Sequence, residues 1–392
     1  MTTDPEDAQD ASRRLAVRRL TLTDFRCYPF LRLEADPRPV VLTGANGAGK
    51  TNLLEALSFL TPGRGMRRAT LSEVARREAQ DGAPWAVAAV LDGPGGPVEI
   101  GTGREPGSER RTVRIGGSPA KARELDGIAS ALWLTPAMDR LFTEGAGGRR
   151  RFLDRLVFGQ DHGHAAAAAA YEHAMRERTR LLKAGGGDAA WLTALEDAMA
   201  RHGATMAAAR NAAVARLDAA CAEAVGPFPA ARLALAGEVE GWTAEGGAAA
   251  AEDRLRAALF RARARDEAAG AATIGPHRTD LAVRHAGRDL PAGQCSTGEQ
   301  KAVLVSIVLA QARVRTALSG LAPLLLLDEV AAHLDATRRA ALYDVLSGLN
   351  AQSWMTGTDE RTFESFGERA QYFRVESATV VKNDFLPTDE HR

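Results

Sequence analysis

The chain has 392 residues, room for two domains or for one large domain with an insertion. It is 45% hydrophobic and 26% charged, as soluble globular proteins are, and 50 basic against 50 acidic side chains leave no net charge. No global attraction to nucleic acid follows, so any DNA binding has to come from local patches. The three cysteines, Cys27, Cys221 and Cys295, are far apart and show no metal spacing; they read as reduced thiols of a cytoplasmic protein. No apolar run approaches membrane-spanning length and the polar N-terminus is no signal peptide, so no membrane partner is expected.

Residues 1–14 are polar and acidic, and are expected to be disordered. Arg14 to Leu33 alternates in hydropathy, which predicts two β segments with a kink at Tyr28-Pro29. Val40-Val41-Leu42 then reads as a buried strand running into Gly44-Ala45-Asn46-Gly47-Ala48-Gly49-Lys50-Thr51, a full match to G-x-x-x-x-G-K-[ST]. Asn52 to Leu57 reads as the helix that such a loop opens. Glycines at 44, 47 and 49 let backbone N–H groups approach phosphate oxygens, and the helix N-terminus adds its positive end. Lys50 can reach the β- and γ-phosphates of ATP, and the Thr51 hydroxyl can ligate Mg²⁺. The chain has 45 arginines and only five lysines, yet a lysine stands at the position that needs a compact ammonium.

The helix stops near Thr61-Pro62-Gly63. The basic loop Arg64-Gly65-Met66-Arg67-Arg68 that follows is either a solvated surface or a source of an arginine for nucleotide or DNA. Ala86–Leu91, Val98–Gly101 and Thr112–Ile115 predict an antiparallel meander, with a last short strand near Leu132-Trp133-Leu134. Composition then shifts to Ala, Arg and Glu. Apolar residues at 192, 195, 199, 206, 214, 217, 221 and 225 share one helical face, with Asp188 as N-cap and Gly226-Pro227 as the stop. Such a helix is about 57 Å long if Gly203 does not break it. Another helix is expected over 252–268. Ser296 and Glu299 form a capping box before the apolar helix 302–312, and the Ser-x-Gly turn is also an anion site. Leu324-Leu325-Leu326-Leu327 reads as a strand buried on both faces, with Asp328 and Glu329 at its C-terminal end, where ligands bind in open α/β sheets. Asp328 is placed to hold Mg²⁺ and Glu329 to orient or deprotonate the attacking water.

The P-loop, Ser296-Thr297-Gly298-Glu299-Gln300 and Leu₄-Asp-Glu followed by Leu334-Asp335 resemble the ATP-binding-cassette ATPases, and most closely the RecF recombination-mediator family of bacterial DNA repair. The resemblance covers almost the whole chain after about residue 15. It extends to Leu22-Thr23-Asp24-Phe25-Arg26-Cys27-Tyr28, the loop through Asn52, Arg150-Arg151-Phe152-Leu153-Asp154, Arg178-Thr179-Arg180-Leu181-Leu182-Lys183 and Gly275-Pro276-His277-Arg278-Thr279-Asp280-Leu281. It implies an α/β fold: an ABC-type P-loop ATPase head, with a mixed sheet and an antiparallel meander, carrying an inserted α-helical arm. Residues 15–135 and 273–392 would be the head and 136–272 the arm. It further implies a homodimer that closes head-to-tail over two ATP molecules. Ser296 and Gly298 of one copy would meet the γ-phosphate held by Lys50 of the other, with Asp335 at the same interface. Partners implied are DNA at gaps and single-strand/double-strand junctions, with RecR and RecO, to help load RecA; the ATPase would be slow and DNA-stimulated.

The sequence departs from the pattern of the family or of the wider superfamily at three places. Glu329 stands where the family often has a second Asp. No histidine follows the next strand, at Trp354-Met355-Thr356-Gly357-Thr358, where most cassette ATPases carry one; the RecF family also tends to have Thr there, which favours the resemblance and leaves Thr356 and Thr358 as candidates for its place. Ala137-Met138-Asp139 replaces the usual Pro-Glu-Asp-Leu. An ATPase subunit of a transporter would carry Ser-Gly-Gly in place of Ser296-Thr297-Gly298. An SMC-like structural ATPase would need sustained heptads, which the Ala-, Arg- and Glu-rich stretch 163–270 lacks.

Overall fold

The computed structural model describes residues 15–76, 83–185 and 188–383. The expected disordered segment 1–14 lies outside them.

Strand β1 (Ala16–Phe25) buries alternate residues and folds back onto β2 (Tyr28–Glu34). The turn falls at Arg26-Cys27, ahead of the expected kink at Tyr28-Pro29. Phe25 pairs with Tyr28 across it, and Asp24 and Arg26 adopt φ of 47° and 57°, the left-handed backbone that tight hairpins favour. β3 (Val40–Thr43), buried at every position, leads into α1 (Lys50–Ser58). One capped turn, α2 (Leu71–Val74), precedes the meander of β4 (Trp85–Asp92), β5 (Val98–Arg104), β6 (Arg111–Ile115) and β7 (Ser118–Ala120). β8 (Ala131–Leu134) follows. The helical region contains α3 (Ala146–Phe158), α4 (His164–Lys183) and α5 (Ala189–Cys221). After β9 (Ala231–Ala236) come α6 (Glu238–Arg261) and α7 (Arg263–Ala269). β10 (Asp280–His285), β11 (Leu290–Pro291), α8 (Thr297–Ser319), β12 (Leu324–Leu327), α9 (Ala336–Gly348), β13 (Ser353–Gly357), β14 (Gln371–Glu376) and β15 (Thr379–Asn383) complete the chain.

The described residues up to Met138, with those from Arg315 onward, form one compact unit; Asp139–Val314 form the second. The first unit holds two sheets. One is antiparallel, in the order β2-β1-β4-β5-β6-β7. The other runs β15-β14-β3-β13-β12-β8 and is parallel except for β15. This order puts the strand before the P-loop next to β13 and one strand from β12. The C-terminal ends of β3, β13 and β12 therefore lie side by side at one end of the sheet. Phe25 packs edge-on against Phe59 and Trp85, which meet each other at a tilt; ring centroids are 5.2–6.1 Å apart, and the cluster fastens the antiparallel sheet to the end of α1. Gln352, fully buried, is satisfied from both ends. Its Oε1 accepts from Val17 N (2.8 Å) and Trp354 Nε1 (2.9 Å), and its Nε2 donates to Asp36 O (2.7 Å).

The second unit is not wholly helical. β9 pairs antiparallel with β10, and β10 with β11. An alanine-rich strand reads as helix by propensity alone, and only its partner some 45 residues later reveals it. The sequence expectation ended the arm at 272. The pairing of β10 with β9 joins the following segment, through Val314, to the same compact unit. α5 runs without a break through Gly203, which is a close-packing point: a Cβ there would lie 2.8 Å from Leu255 Cδ2. Asp188 caps it as expected, accepting from Ala190 N at 2.8 Å. It ends at Cys221, before Gly226-Pro227, because those residues form a tight turn closed by mutual hydrogen bonds between Val225 and Phe228. The helix expected over 252–268 is split at Ala262 between α6 and α7. α8 is long and apolar enough to cross a membrane, which the sequence reading did not anticipate, but 67% of its apolar window is buried inside the protein, as in a core helix.

Two arginines organise the helices of the second unit. Arg178, with no exposed surface, donates to Glu196 Oε1 (2.9 Å), Asp266 Oδ2 (2.6 Å) and Leu259 O (2.8 Å). Arg210 donates to Asp154 Oδ1 (2.9 Å), Glu240 Oε1 (2.9 Å) and Pro276 O (2.6 Å). His277, from the Gly-Pro-His-Arg segment, is also internal. Tyr171 Oη donates to its Nδ1 (2.7 Å), and its Nε2 donates to Ala272 O (2.9 Å). Burial pushes its pKa down, and this bonding pattern suits the neutral ring. Arg178→Met leaves two buried carboxylates short of a partner, so the full-length protein should lose about 3–5 kcal/mol of unfolding free energy in urea. A loss below about 1 kcal/mol would show that this guanidinium does not hold α4, α5 and α7 together.

Candidate nucleotide-binding site

The P-loop conformation depends on glycine at two places. Gly44 has φ of 144°, and a Cβ there would lie 2.2 Å from Val375 O. Gly49 has φ of 116°, with Tyr28 Oη 2.6 Å from its Cβ position. Any other residue would meet both a left-handed backbone and a collision. Lys50 opens α1 and is almost fully buried; its Nζ donates to Gly44 O (2.6 Å) and Ala45 O (2.8 Å), folded along the inside of the loop. Desolvation lowers its pKa while the charges of Glu329 and Asp328 oppose the shift.

From the other side, β12 brings in Asp328 and Glu329. Thr51 Oγ1 donates to Asp328 Oδ1 at 2.9 Å, and Thr356 Oγ1, from β13, donates to the same oxygen at 2.7 Å. Thr356 Oγ1 in turn accepts from the backbone N–H of Glu329 at 2.9 Å. One hydroxyl thus ties the carboxylate to the backbone of the residue after it. Glu329 has a left-handed φ of 50° and lines a cavity of about 210 Å³ together with Gly47, Lys50, Thr51, Asn52 and Arg67. A second cavity of about 830 Å³ lies along the other side of the same loop, from Gly44 to Ala48, and is bounded by Thr358, Asp359 and Arg374. Asn46 and Gly47 border both. The pair Thr51 Oγ1 and Asp328 Oδ1 suits Mg²⁺. Both atoms are hard oxygens, and octahedral bonds of about 2.1 Å set neighbouring ligands about 3 Å apart, close to the separation found here.

The basic loop after α1 contributes Arg67. Its Nη1 donates to Asn52 Oδ1 (3.0 Å) and to Glu55 Oε2 (3.3 Å). Glu55 is fully buried and also accepts from Arg26 Nε (2.8 Å) and Nη2 (2.6 Å). The buried carboxylate on α1 therefore fixes two guanidinium groups beside the P-loop. Arg64, Arg67 and Arg68 are all exposed, and of the three Arg67 borders the smaller cavity. Glu55 was missed by sequence reasoning, and Thr356 was not separated there from Thr358. A threonine at the end of a buried strand and an acid on an apolar helix face are the signals that could have found them.

The remaining expected residues lie elsewhere. Asp335, exposed in the first unit, caps α9 by accepting from Arg338 N at 2.8 Å. Ser296 and Gly298 stand at the start of α8 in the second unit, with Ser296 exposed. The Glu299 carboxylate accepts from Ser296 N at 3.1 Å, as a capping box requires, and is ion-paired with Arg288.

The family model described as "RecF/RecN/SMC N terminal domain" matches residues 16–380. "DNA replication and repair protein RecF" of Mesorhizobium japonicum is 52% identical over 371 residues, 93% of this chain and 97% of the relative. The protein of the same name from Rhizobium meliloti is 52% identical over 368 residues, 92% of this chain and 97% of its own length. Among solved structures, the recombination mediator protein RecF with ATPrS, of the RecFOR pathway, superposes with a TM-score of 0.81 at 21% identity, covering 95% of this chain and 99% of that one. The Smc head domain of Pyrococcus furiosus, bound to the C-terminal domain of ScpA, gives a TM-score of 0.53 at 16% identity, covering 94% and 96%. The two superpositions place the fold among RecF and SMC head ATPases, and the sequence identities over nine-tenths of the length make this chain a member of the RecF family of DNA replication and repair proteins.

Proposed function

We propose that this chain is an ATP-gated DNA-binding protein of recombinational repair and replication restart, cytoplasmic, with ATP hydrolysis serving as a slow, DNA-stimulated switch. The convergence of Thr51 and Thr356 on one oxygen of Asp328, beside Lys50 and Glu329, carries this reading. Lys50, released from the loop carbonyls, neutralises the β- and γ-phosphate oxygens. Thr51 and Asp328 would hold Mg²⁺, which would offset charge on the phosphate oxygens. The Glu329 carboxylate orients the attacking water and takes its proton. Thr356, bonded to Asp328 and to Glu329 N, keeps the two acids in register, in the place where most cassette ATPases have a histidine. Ser296 and Gly298 of a second copy complete the site at the γ-phosphate, with Asp335 at the same interface. Closure of this homodimer presents a surface to single-stranded and gapped duplex DNA, where the protein acts with RecR and RecO to help load RecA. Relatives that bear the RecF name, and a RecF solved with ATPrS in the RecFOR pathway, support this assignment.

Glu329→Gln should retain ATP binding, slow hydrolysis by about 100-fold or more, and leave a long-lived dimer on gapped DNA. Normal turnover in that variant would remove Glu329 from the role of base. Lys50→Ala should weaken ATP binding at least about tenfold and abolish nucleotide-dependent dimerisation with it, since no other ammonium is at hand. Unchanged affinity in calorimetry would defeat the phosphate role of this lysine. Ser296→Arg should bind ATP as a monomer with native affinity and fail to dimerise. If it still dimerises, the signature turn does not face the partner's nucleotide.

A further inference from the structure

We propose that Arg150, Arg151 and Arg278 form a binding site on the second unit for the phosphodiester backbone of DNA. The inference rests on the DNA-binding reading above and says where the backbone is held. All three residues lie in segments that the nucleotide chemistry leaves unused, Arg149-Arg150-Arg151 near the start of α3 and Arg278 just before β10.

Most guanidinium groups around them are neutralised within the unit. Arg149 is held by both oxygens of Asp280, at 2.7 and 2.9 Å, and Arg210 by Asp154 and Glu240. Arg150 has only a neutral partner, donating from Nη1 to Thr279 O at 3.0 Å. Arg151 and Arg278 are exposed and have no carboxylate within ion-pairing distance among the described residues. Arg150 Nη2 and Arg151 Nη1 lie 3.8 and 3.5 Å from the point that a Cβ on Gly147 would occupy. Both guanidinium groups therefore reach one small space, and glycine keeps it open. Burial holds the Arg150 pKa below its usual value; the charge of Asp280 opposes the shift, and those of Arg210 and Arg278 add to it. The first turn of α3 contains no acidic residue to offset this charge.

Arg150, Arg151 and Arg278 form no ion pair among the described residues, and an anion between them lowers their mutual repulsion. Planar guanidinium forks match a phosphate's oxygens better than an ammonium does. In a protein with no net charge, a local cluster of this kind is what a sequence-independent hold on DNA requires. An acidic protein segment is the competing occupant.

The test uses the full chain with Mg-ATP and a fluorescent gapped duplex, titrated at several KCl concentrations. Arg151→Ala/Arg278→Ala should weaken DNA binding roughly 10- to 100-fold and reduce the slope of log K against log salt by about 2. DNA-free ATP hydrolysis should be unchanged. Gly147→Asp should also weaken DNA binding, with a melting temperature equal to or above that of the unsubstituted protein, because it places a carboxylate between the guanidinium groups and at the favoured end of a helix. Binding and slope unchanged in both variants would overturn the proposal. A loss of affinity with the full salt slope retained would also overturn it, because the contact would then not be to phosphates. A native chain that does not bind DNA at any salt would remove the broader reading and this site together, whereas failure of the variants alone removes only the site.

Discussion

One oxygen of Asp328 receives two hydroxyl groups, from Thr51 at the start of the P-loop helix and from Thr356 at the end of the neighbouring strand. A carboxylate with two donors on one oxygen is held as an acceptor, and three separate segments of chain are fixed relative to each other by it. The sheet order makes this possible, because β13 lies between β3 and β12 and all three run parallel. The left-handed turn at Glu329, anchored through its N–H to Thr356, then aims the second acid at the cavity that Lys50 lines. The geometry of this candidate site is a consequence of strand order plus two threonines.

The two units use arginine in opposite ways. In the first, Glu55 is a buried acid that collects Arg26 and Arg67 beside the phosphate loop, so a negative charge inside the helix positions positive charge at the ligand. In the second, Arg178 and Arg210 are buried cations that collect acids from several helices, and their hydrogen bonds replace part of the apolar packing that a small alanine-rich core cannot supply. Arg150, Arg151 and Arg278 of the second unit, by contrast, form no ion pair among the described residues.

The parts of this fold legible in the sequence were those fixed by local chemistry. The glycines of the P-loop, the four-leucine strand, the Asp188 cap and the meander all follow from rules that act over a few residues. Features set by distant partners were not legible. β9 exists because β10 pairs with it, and α5 ends early because Gly226 turns the chain between Val225 and Phe228. Thr356 was one of two candidate threonines until its strand placed it beside Asp328, and Arg67 was one of three arginines in its loop until Glu55 selected it. In each case the missing information was which residue lies opposite.

The account stands or falls on whether ATP assembles two copies. Sedimentation velocity with Mg-ATP, with Mg-ADP and without nucleotide, each with and without a gapped duplex, measures this directly. The account predicts a dimer that forms only with ATP and tightens on DNA. A monomer in every condition, or one dimer indifferent to nucleotide, would contradict it and leave Lys50, Asp328 and Glu329 without the second half of their site.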